Sequence, residues 1–540
     1  MKYGTQGPSQ FTADTLQALK ATLQREQAKA NAKRQQSKVL LSGPLNRNFG
    51  FSGRSGARID PGAIKVPQHP VRRQDGFAFG LHDDKLPVAG PSSSVRFVGP
   101  NMDGESRTRR AYRYMFEKVS ERSEALDDKI DEFGELVKQH YNLEELGDPA
   151  ASTEEEVVVV GRVTFDSESI SSSVKLNEAS LALESSRMMG AGARIPVRFD
   201  PGVKIRKGKA GIGGIGLFPG AMVALKGKNG GGGYFLATEI LSLPPLRAAP
   251  RSMTKSEDGQ SSFTMHIACG PFTSDADLEY APWYSMLSRI KNEKPLVVLL
   301  VGPFVDSAHP LVKVGDVGAT PAEMFRQHFL DPLEDYLNSA KGSIVLIVPS
   351  TRDIISDHAV YPQPEFSATL PGLDARIGLL PNPARFSLND VSFGVSSVDV
   401  LFHLRKEEFL KRGQEVDSLP SDDIEGQTTN DPMVNSCRHL LLQRSFYPIF
   451  PAPLDLSHEV NLDVAHWDGL RLGAGAEVDT APDVLITPSR LKHFSKVVDD
   501  TIAINPSFSM KGMFAALNYS GDAAAVPMRN RLKVELVKLD

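Results

Sequence analysis

The 540-residue sequence is poor in cysteine and tryptophan, with two of each. Cys269 and Cys437 cannot build a disulfide framework, and they exclude a Cys-based zinc or iron–sulfur site within the chain. So few thiols suit a reducing compartment, cytosol or nucleus. No apolar run reaches the ~18 residues that a membrane span requires. The opening "MKYGTQGPSQFTADTLQ" has no apolar core of a secretory leader. No G-x-S-x-G or Walker A pattern occurs, which removes the commonest serine-hydrolase and nucleotide-binding signatures. What remains is 41% hydrophobic and 24% charged, ordinary for a water-soluble chain. The length suffices for about two to four domains.

Charge of one sign is unevenly spread. The net charge is −5, yet residues 1–113 hold 19 Lys+Arg against 8 Asp+Glu, a surplus of 11 that leaves the rest at −16. A basic arm on an acidic body suits a solvated linker with a role in nuclear import, or contact with a polyanion. The basic residues are scattered and the densest cluster, Arg107 to Arg110, is short, so the linker is preferred.

The chain divides by pattern. Residues 1–107 form an N-terminal region: a partial helix over 11–40, rich in Ala, Gln, Leu and Lys, then a Gly/Pro/Ser/Arg-rich disordered linker. Over 108–150 the spacing of Met115, Val119, Leu126, Ile130, Phe133 and Val137 predicts one long amphipathic helix. Residues 151–246 break into short β-rich runs divided by Gly, Pro and Asn, which predicts an OB-fold barrel. After a second linker, residues 262–540 alternate strands and helices. "FTMHIA", "PLVVLLV", "SIVLIV", "SSVDVLF", "DVLIT", "TIAI", "MFAALNY" and "RLKVELVKL" read as strands, several buried on both faces. Over 320–341 Thr320, Pro321 and Glu323 spell a helix start with a capping box. Residues 411–435 read as a mobile acidic loop.

Several lures are set aside. "GIGGIG" (Gly211 to Gly216) matches G-x-G-x-x-G, but Pro219 follows where a dinucleotide fold needs a helix, so it is read as a loop. "KIRKGK" (Lys204 to Lys209) lacks the neighbouring aromatics of a single-strand-binding groove. His266 and Cys269, three apart on a strand, face opposite sides. "SHEV" (Ser457 to Val460) lacks the second His of a zincin motif.

The strand ends carry the argument about chemistry. A calcineurin-like phosphoesterase presents D-x-H, G-D-x-x-D, G-N-H-[DE] and a later G-H-x-H, so that carboxylates and imidazoles hold two metals ~3.5–4 Å apart. Here "FTMHIA" leads into "CGPFTSDAD", with no D-x-H. "PLVVLLV" leads into Gly302, Pro303 and, three residues on, Asp306; Pro303 stands where the bridging Asp belongs. "SIVLIV" leads to Ser350, Thr351, Arg352 and Asp353, with Thr for the ligand Asn and Arg for the catalytic His. "DVLI" leads to Thr487, Pro488, Ser489 and Arg490. An Arg here adds repulsion to the loss of donors. Like unit charges ~4 Å apart repel by about 4 kcal/mol at an effective dielectric of 20, and a dication doubles that. Asp306 and Asp353 are then available to pair with arginines or cap loops. These eleven positions are expected to be a vestigial phosphoesterase site, with no catalytic residue, metal or cofactor.

The pieces "YRYMFEKVSERSEALDDKIDEF", "LFPGAMVALKGKN", "HIACGPFTSDADLEYAPW", "VVLLVGPFVDSAHP", "VPSTRD", "CRHLLLQRSFYPIFP", "PDVLITPSRLKHFSKVVDDTIAINPS" and "KGMFAALNY" span about residues 110–520. In order and spacing they resemble the B-subunit family of eukaryotic DNA polymerase α–primase, and the helix at 112–142 resembles fungal members. The resemblance implies an OB domain packed on an inactivated calcineurin-like metallophosphoesterase domain. It implies a nuclear, non-catalytic scaffold that holds the C-terminal zinc-containing domain of the polymerase catalytic subunit, with the zinc on the partner. Through that domain it would join the small and large primase subunits in making RNA–DNA primers, with DNA contacted only indirectly and no membrane involved. Relatives usually begin with a small helical domain and a long linker; this chain starts in what resembles the linker. Accessory subunits of polymerases δ and ε share the body plan. Archaeal small subunits of the same architecture retain the metal ligands and act as nucleases.

Overall fold

The computed structural model describes residues 95–165, 175–206, 214–248, 262–367, 373–417, 431–473, 479–521 and 526–539. The helix expected over 11–40 and Lys207 to Lys209 lie outside them.

Five strands, Val157–Phe165, Leu181–Glu184, Arg194–Arg206, Met222–Lys228 and Phe235–Leu241, close on themselves. Four of the contacts are antiparallel, and a parallel pairing of Arg194–Arg206 with Phe235–Leu241 completes the barrel. Alternation does the sorting: Val159 and Val163 point into the barrel, while Val160 points out to meet a helix. That helix, Val119–Tyr141, buries Ile130, Phe133 and Val137 against Val160, Met222, Ala224, Leu241 and Leu243.

The remainder is a sandwich of two six-stranded sheets with helices outside. One sheet runs in the order Ile377–Leu379, Ile344–Val348, Val297–Val301, Phe263–Cys269, Met513–Tyr519, Leu532–Lys538. The other runs Phe97–Val98, Ala384–Leu388, Val391–Val395, Val484–Ile486, Thr501–Asn505, Phe494–Val498. Met265, Ile267, Cys269, Leu299 and Leu346 meet Phe386, Phe393, Ile486 and Ile504 between the sheets. The opposite face of the first sheet is covered by the helix Ala281–Glu293 and by the helical run 321–339, through Trp283, Phe325, Phe329 and Leu333. Residues on both faces are buried, so Val297–Val301 is a run of Val and Leu with no alternation. The outer face of the second sheet shares one continuous apolar cluster with the barrel interior, from Val159 and Phe235 through Leu404 and Leu440 to Leu485. The α/β half also lends strands to the barrel: Phe409–Arg412 pairs with Gly214–Leu217, and Gln414–Val416 with Lys204 to Arg206. No described helix is long and apolar enough to cross a membrane.

Some expectations are corrected. The helix covers Val119–Tyr141, not 108–150, because left-handed backbone at Met115 (φ 63°) and Asn142 (φ 52°) lies outside each end. Met115 therefore lies outside the helix and Val119 is its first residue, and the two are 82% and 87% exposed. Residues 95–107 belong to the folded body rather than to a linker: Phe97–Val98 pairs with the second sheet, and Gly104–Arg110 is a helix capped by Asp103. "SSVDVLF" is a turn and a helix start, since the Asp399 carboxylate caps Val400–Glu407 by accepting the Phe402 amide at 3.1 Å. The strands lie just before it, in the hairpin Ala384–Leu388 and Val391–Val395. Of the loop expected over 411–435, the start lies in strand and the end in the helix Pro432–Leu442, while residues 418–430 lie outside the described residues. Gly214 to Gly216 of the glycine motif lie in a strand, not a loop, and no helix follows.

Candidate functional site

Strands Phe263–Cys269, Val297–Val301 and Ile344–Val348 are parallel neighbours, so their C-terminal loops emerge side by side. Val484–Ile486 delivers a further loop. The crevice beyond such strand ends is where an α/β sheet presents its chemistry.

Asp353 lies at the centre of the first group and is buried. Its Oδ1 accepts the amides of Phe304 at 2.5 Å and Val305 at 3.2 Å, and its Oδ2 accepts the Ser350 amide at 2.8 Å. One carboxyl thus ties the loop 302–306 to the loop 350–353. Gly302 is required by that arrangement, because a Cβ there would lie 2.2 Å from Asp353 Oδ2 and 2.8 Å from the Ser350 nitrogen. Burial pushes the Asp353 carboxyl up to about 7, against the pull of the three amides and with added repulsion from Asp306. Beside it, Asp306 is gripped on both oxygens by Arg352: Nε donates to Oδ1 at 3.0 Å and Nη2 to Oδ2. Asp306 Oδ1 also accepts the Ala308 amide at 2.8 Å. Pro303 has no side-chain donor to offer. Gln363 braces the floor, donating through Nε2 to the carbonyls of Ser350 at 3.1 Å and His358 at 2.9 Å.

The second group surrounds Arg490. Its backbone amide and Nε both donate to Asp399 Oδ2, at 2.9 and 3.1 Å, and its Nη2 donates to Glu459. His403 is fully buried, with Nδ1 at 2.9 Å from the Tyr447 hydroxyl and Nε2 at 3.4 Å from Glu459 Oε2. Burial alone would raise the Glu459 carboxyl, but His403 and Arg490 outweigh it and hold it at about 2. The Ser489 amide donates to Asn505 Oδ1 at 2.9 Å, and Pro488 is buried. Thr487 Oγ1 is buried with no hydrogen-bond partner among the described residues. The two groups touch where Thr351 Oγ1 donates to the Glu459 carbonyl at 3.4 Å.

The eleven positions named from the sequence therefore lie in adjoining strand-end loops. Arg352 pairs with Asp306, Arg490 faces Asp399 and Glu459, and Asp353 is taken up by three backbone amides. Among the described residues no group of three or more His, Cys, Asp or Glu side chains could hold a metal ion. Sequence reasoning missed Glu459, His403 and Asp399. Glu459 sat in plain view within "SHEV", but that stretch was tested only for a second His. His266 and Cys269 do face opposite sides of their strand: Cys269 packs between the sheets, and His266 lies 3.0 Å from Glu293. A strap also crosses nearby, with Arg110 bidentate on Glu365 at 2.9 Å and the Tyr112 ring 3.6 Å from that of His466.

Fold and site together define a class: an OB-type barrel interlocked with a two-sheet α/β sandwich, whose strand-end loops carry internal ion pairs. A family model for the B-subunit of DNA polymerase alpha/epsilon matches residues 265–496, and one for the OB domain of the DNA polymerase alpha B-subunit matches residues 123–243. The DNA polymerase alpha B-subunit of Schizosaccharomyces pombe is 35% identical over 74% of this chain and 66% of its own length. Those of Bos taurus (32%) and Saccharomyces cerevisiae (31%) align over 72% and 73% of this chain and 57% and 58% of their own lengths. The chain thus spans between 57% and 66% of these curated relatives. It belongs to the DNA polymerase alpha/epsilon B-subunit family.

Proposed function

We propose that the chain is a non-catalytic scaffold subunit of the nuclear DNA polymerase α–primase complex, supporting RNA–DNA primer synthesis in replication. Its α/β half is an inactivated calcineurin-like metallophosphoesterase domain, with Gly302, Pro303, Asp306, Ser350 to Asp353 and Thr487 to Arg490 as the remnants of its motifs. Its principal partner is the C-terminal zinc-containing domain of the polymerase catalytic subunit. The small and large primase subunits join through the complex, and DNA is contacted indirectly. The observation that carries the reading is the bidentate grip of Arg352 on Asp306, a cation and its counter-ion where a binuclear hydrolase keeps a catalytic His and a metal ligand. The relatives are B-subunits of DNA polymerase alpha, which favours the α complex over the ε complex that the broader family also includes.

The test of inactivity uses the full chain, purified alone and dialysed against Mn²⁺. The expected result is no bound metal and no hydrolysis of bis(p-nitrophenyl) phosphate above buffer. About two metal ions per chain, with turnover lost on Asp306→Asn, would overturn it.

A further inference from the structure

The helix Val119–Tyr141, the barrel and the segment 443–471 meet around a cavity of about 30 Å³. Its wall carries four cations, Lys129, Arg162, Arg444 and Arg471, and one carboxylate, Glu132. Glu132 is already engaged, since its two oxygens accept Nη1 and Nη2 of Arg471, each at 2.7 Å. Arg162 reaches Glu184 through Nη2 at 2.5 Å. Arg444 reaches Asp479 through Nη1 at 3.5 Å and the Pro244 carbonyl through Nη2 at 3.2 Å.

Three donors are left over. The Nε atoms of Arg162 and Arg444 are buried without a hydrogen-bond partner among the described residues, and the Arg162 side chain is only 4% exposed. Lys129 is half-buried and its Nζ makes no hydrogen bond or ion pair among the described residues. The side-chain acceptors on the wall are in use: Gln443 bridges the Met222 amide and carbonyl at 2.8 and 2.9 Å, and Ser445 Oγ accepts the Tyr447 amide at 3.2 Å. The side-chain atoms of the wall left without a partner among the described residues are all donors, which suits an occupant that accepts from each of them. A halide only accepts. The volume suits an occupant about the size of one or two waters and is too small for a nucleotide. The Lys129 ammonium is pushed down to about 8, first by burial and then by Arg162, with Glu132 opposing and Arg471 adding to the fall.

We propose that this cavity binds one halide-sized monovalent anion, held between Nζ of Lys129 and the Nε–H groups of Arg162 and Arg444. The anion fastens the helix to the barrel and to the α/β half at once.

The test compares chloride with gluconate at matched ionic strength, using the full chain. Exchange into chloride is expected to give a saturable rise in Tm, and Lys129→Met is expected to abolish that rise. Crystals of the wild-type chain grown in bromide are expected to show an anomalous peak within hydrogen-bonding distance of Lys129 Nζ, a readout that needs no variant. Equal Tm in the two anions, an undiminished chloride response in Lys129→Met, or a cavity without anomalous signal would each overturn the proposal.

Discussion

Replacing Asp353 by Asn should change stability by an amount that depends on pH in one direction. The folded carboxyl is raised by burial to about 7 from an ordinary 3.8. A raised carboxyl contributes stability that is full below the unfolded pKa and is lost as pH rises through the folded one. The shift is roughly 3 units, so ionising Asp353 in place costs up to about 4 kcal/mol. Asn is neutral throughout and never meets that cost. Its amide group does place N–H against one of the three backbone donors that Asp353 now receives. That mismatch costs about 1–3 kcal/mol at every pH. Asp353→Asn should therefore be destabilising near pH 4.5, lose about 2–4 kcal/mol of that penalty by pH 8, and show no further change above. The assay is urea unfolding at several pH values, read by the fluorescence of Trp283, which is buried in the same α/β half. A penalty that stays constant, or grows with pH, would refute the reasoning. It would mean that the three amides hold Asp353 ionised despite its burial.

The neighbouring contacts make independent predictions. Arg352→Ala strands a buried Asp306 and should cost about 2–4 kcal/mol, whereas the double change Arg352→Leu with Asp306→Leu should cost less than the single one; urea unfolding of the three variants checks this. Gly302→Ala drives a Cβ into the Asp353 carboxylate and the Ser350 backbone, and about 3 kcal/mol or more of destabilisation is expected in the same assay. Glu459 is held at about 2, so its contribution is present above pH ~4.5 and disappears as pH falls towards 2; Glu459→Gln should cost about 2 kcal/mol at pH 7 and nothing below pH 2 in an acid titration of stability. Phe133→Ala empties the contact between helix and barrel and should cost about 3–5 kcal/mol, with early proteolysis of the helix as the local readout.

Where local chemistry decides structure, the sequence was legible. The Thr320 hydroxyl accepts the Glu323 amide at 3.3 Å, and Glu323 returns the favour at the Thr320 amide at 2.9 Å, as the capping box required. Doubly buried strands such as Ile344–Val348 announce themselves by unbroken Val, Ile and Leu. Legibility failed where the partner is distant in sequence. Phe97–Val98 is a strand only because Ala384–Leu388 offers it an edge, with Phe97 tilted 6.1 Å from Phe386. "SSVDVLF" carries strand-forming residues, but the Asp399 cap outweighs their propensity. The site divided the same way. Strand-end spacing located Arg352 and Arg490, while the acids that neutralise Arg490 come from the helix start at Asp399 and a loop at Glu459. No periodicity links those three.

The role proposed for this chain is that of a scaffold for a polymerase catalytic subunit. It is tested most directly by co-expressing the full chain with the C-terminal zinc domain of the matching DNA polymerase α catalytic subunit, followed by size-exclusion chromatography and metal analysis. The account predicts a 1:1 complex whose zinc is accounted for by the partner domain. Separate elution of the two proteins, with metal bound to this chain alone, would contradict it and return the α/β half to the hydrolases.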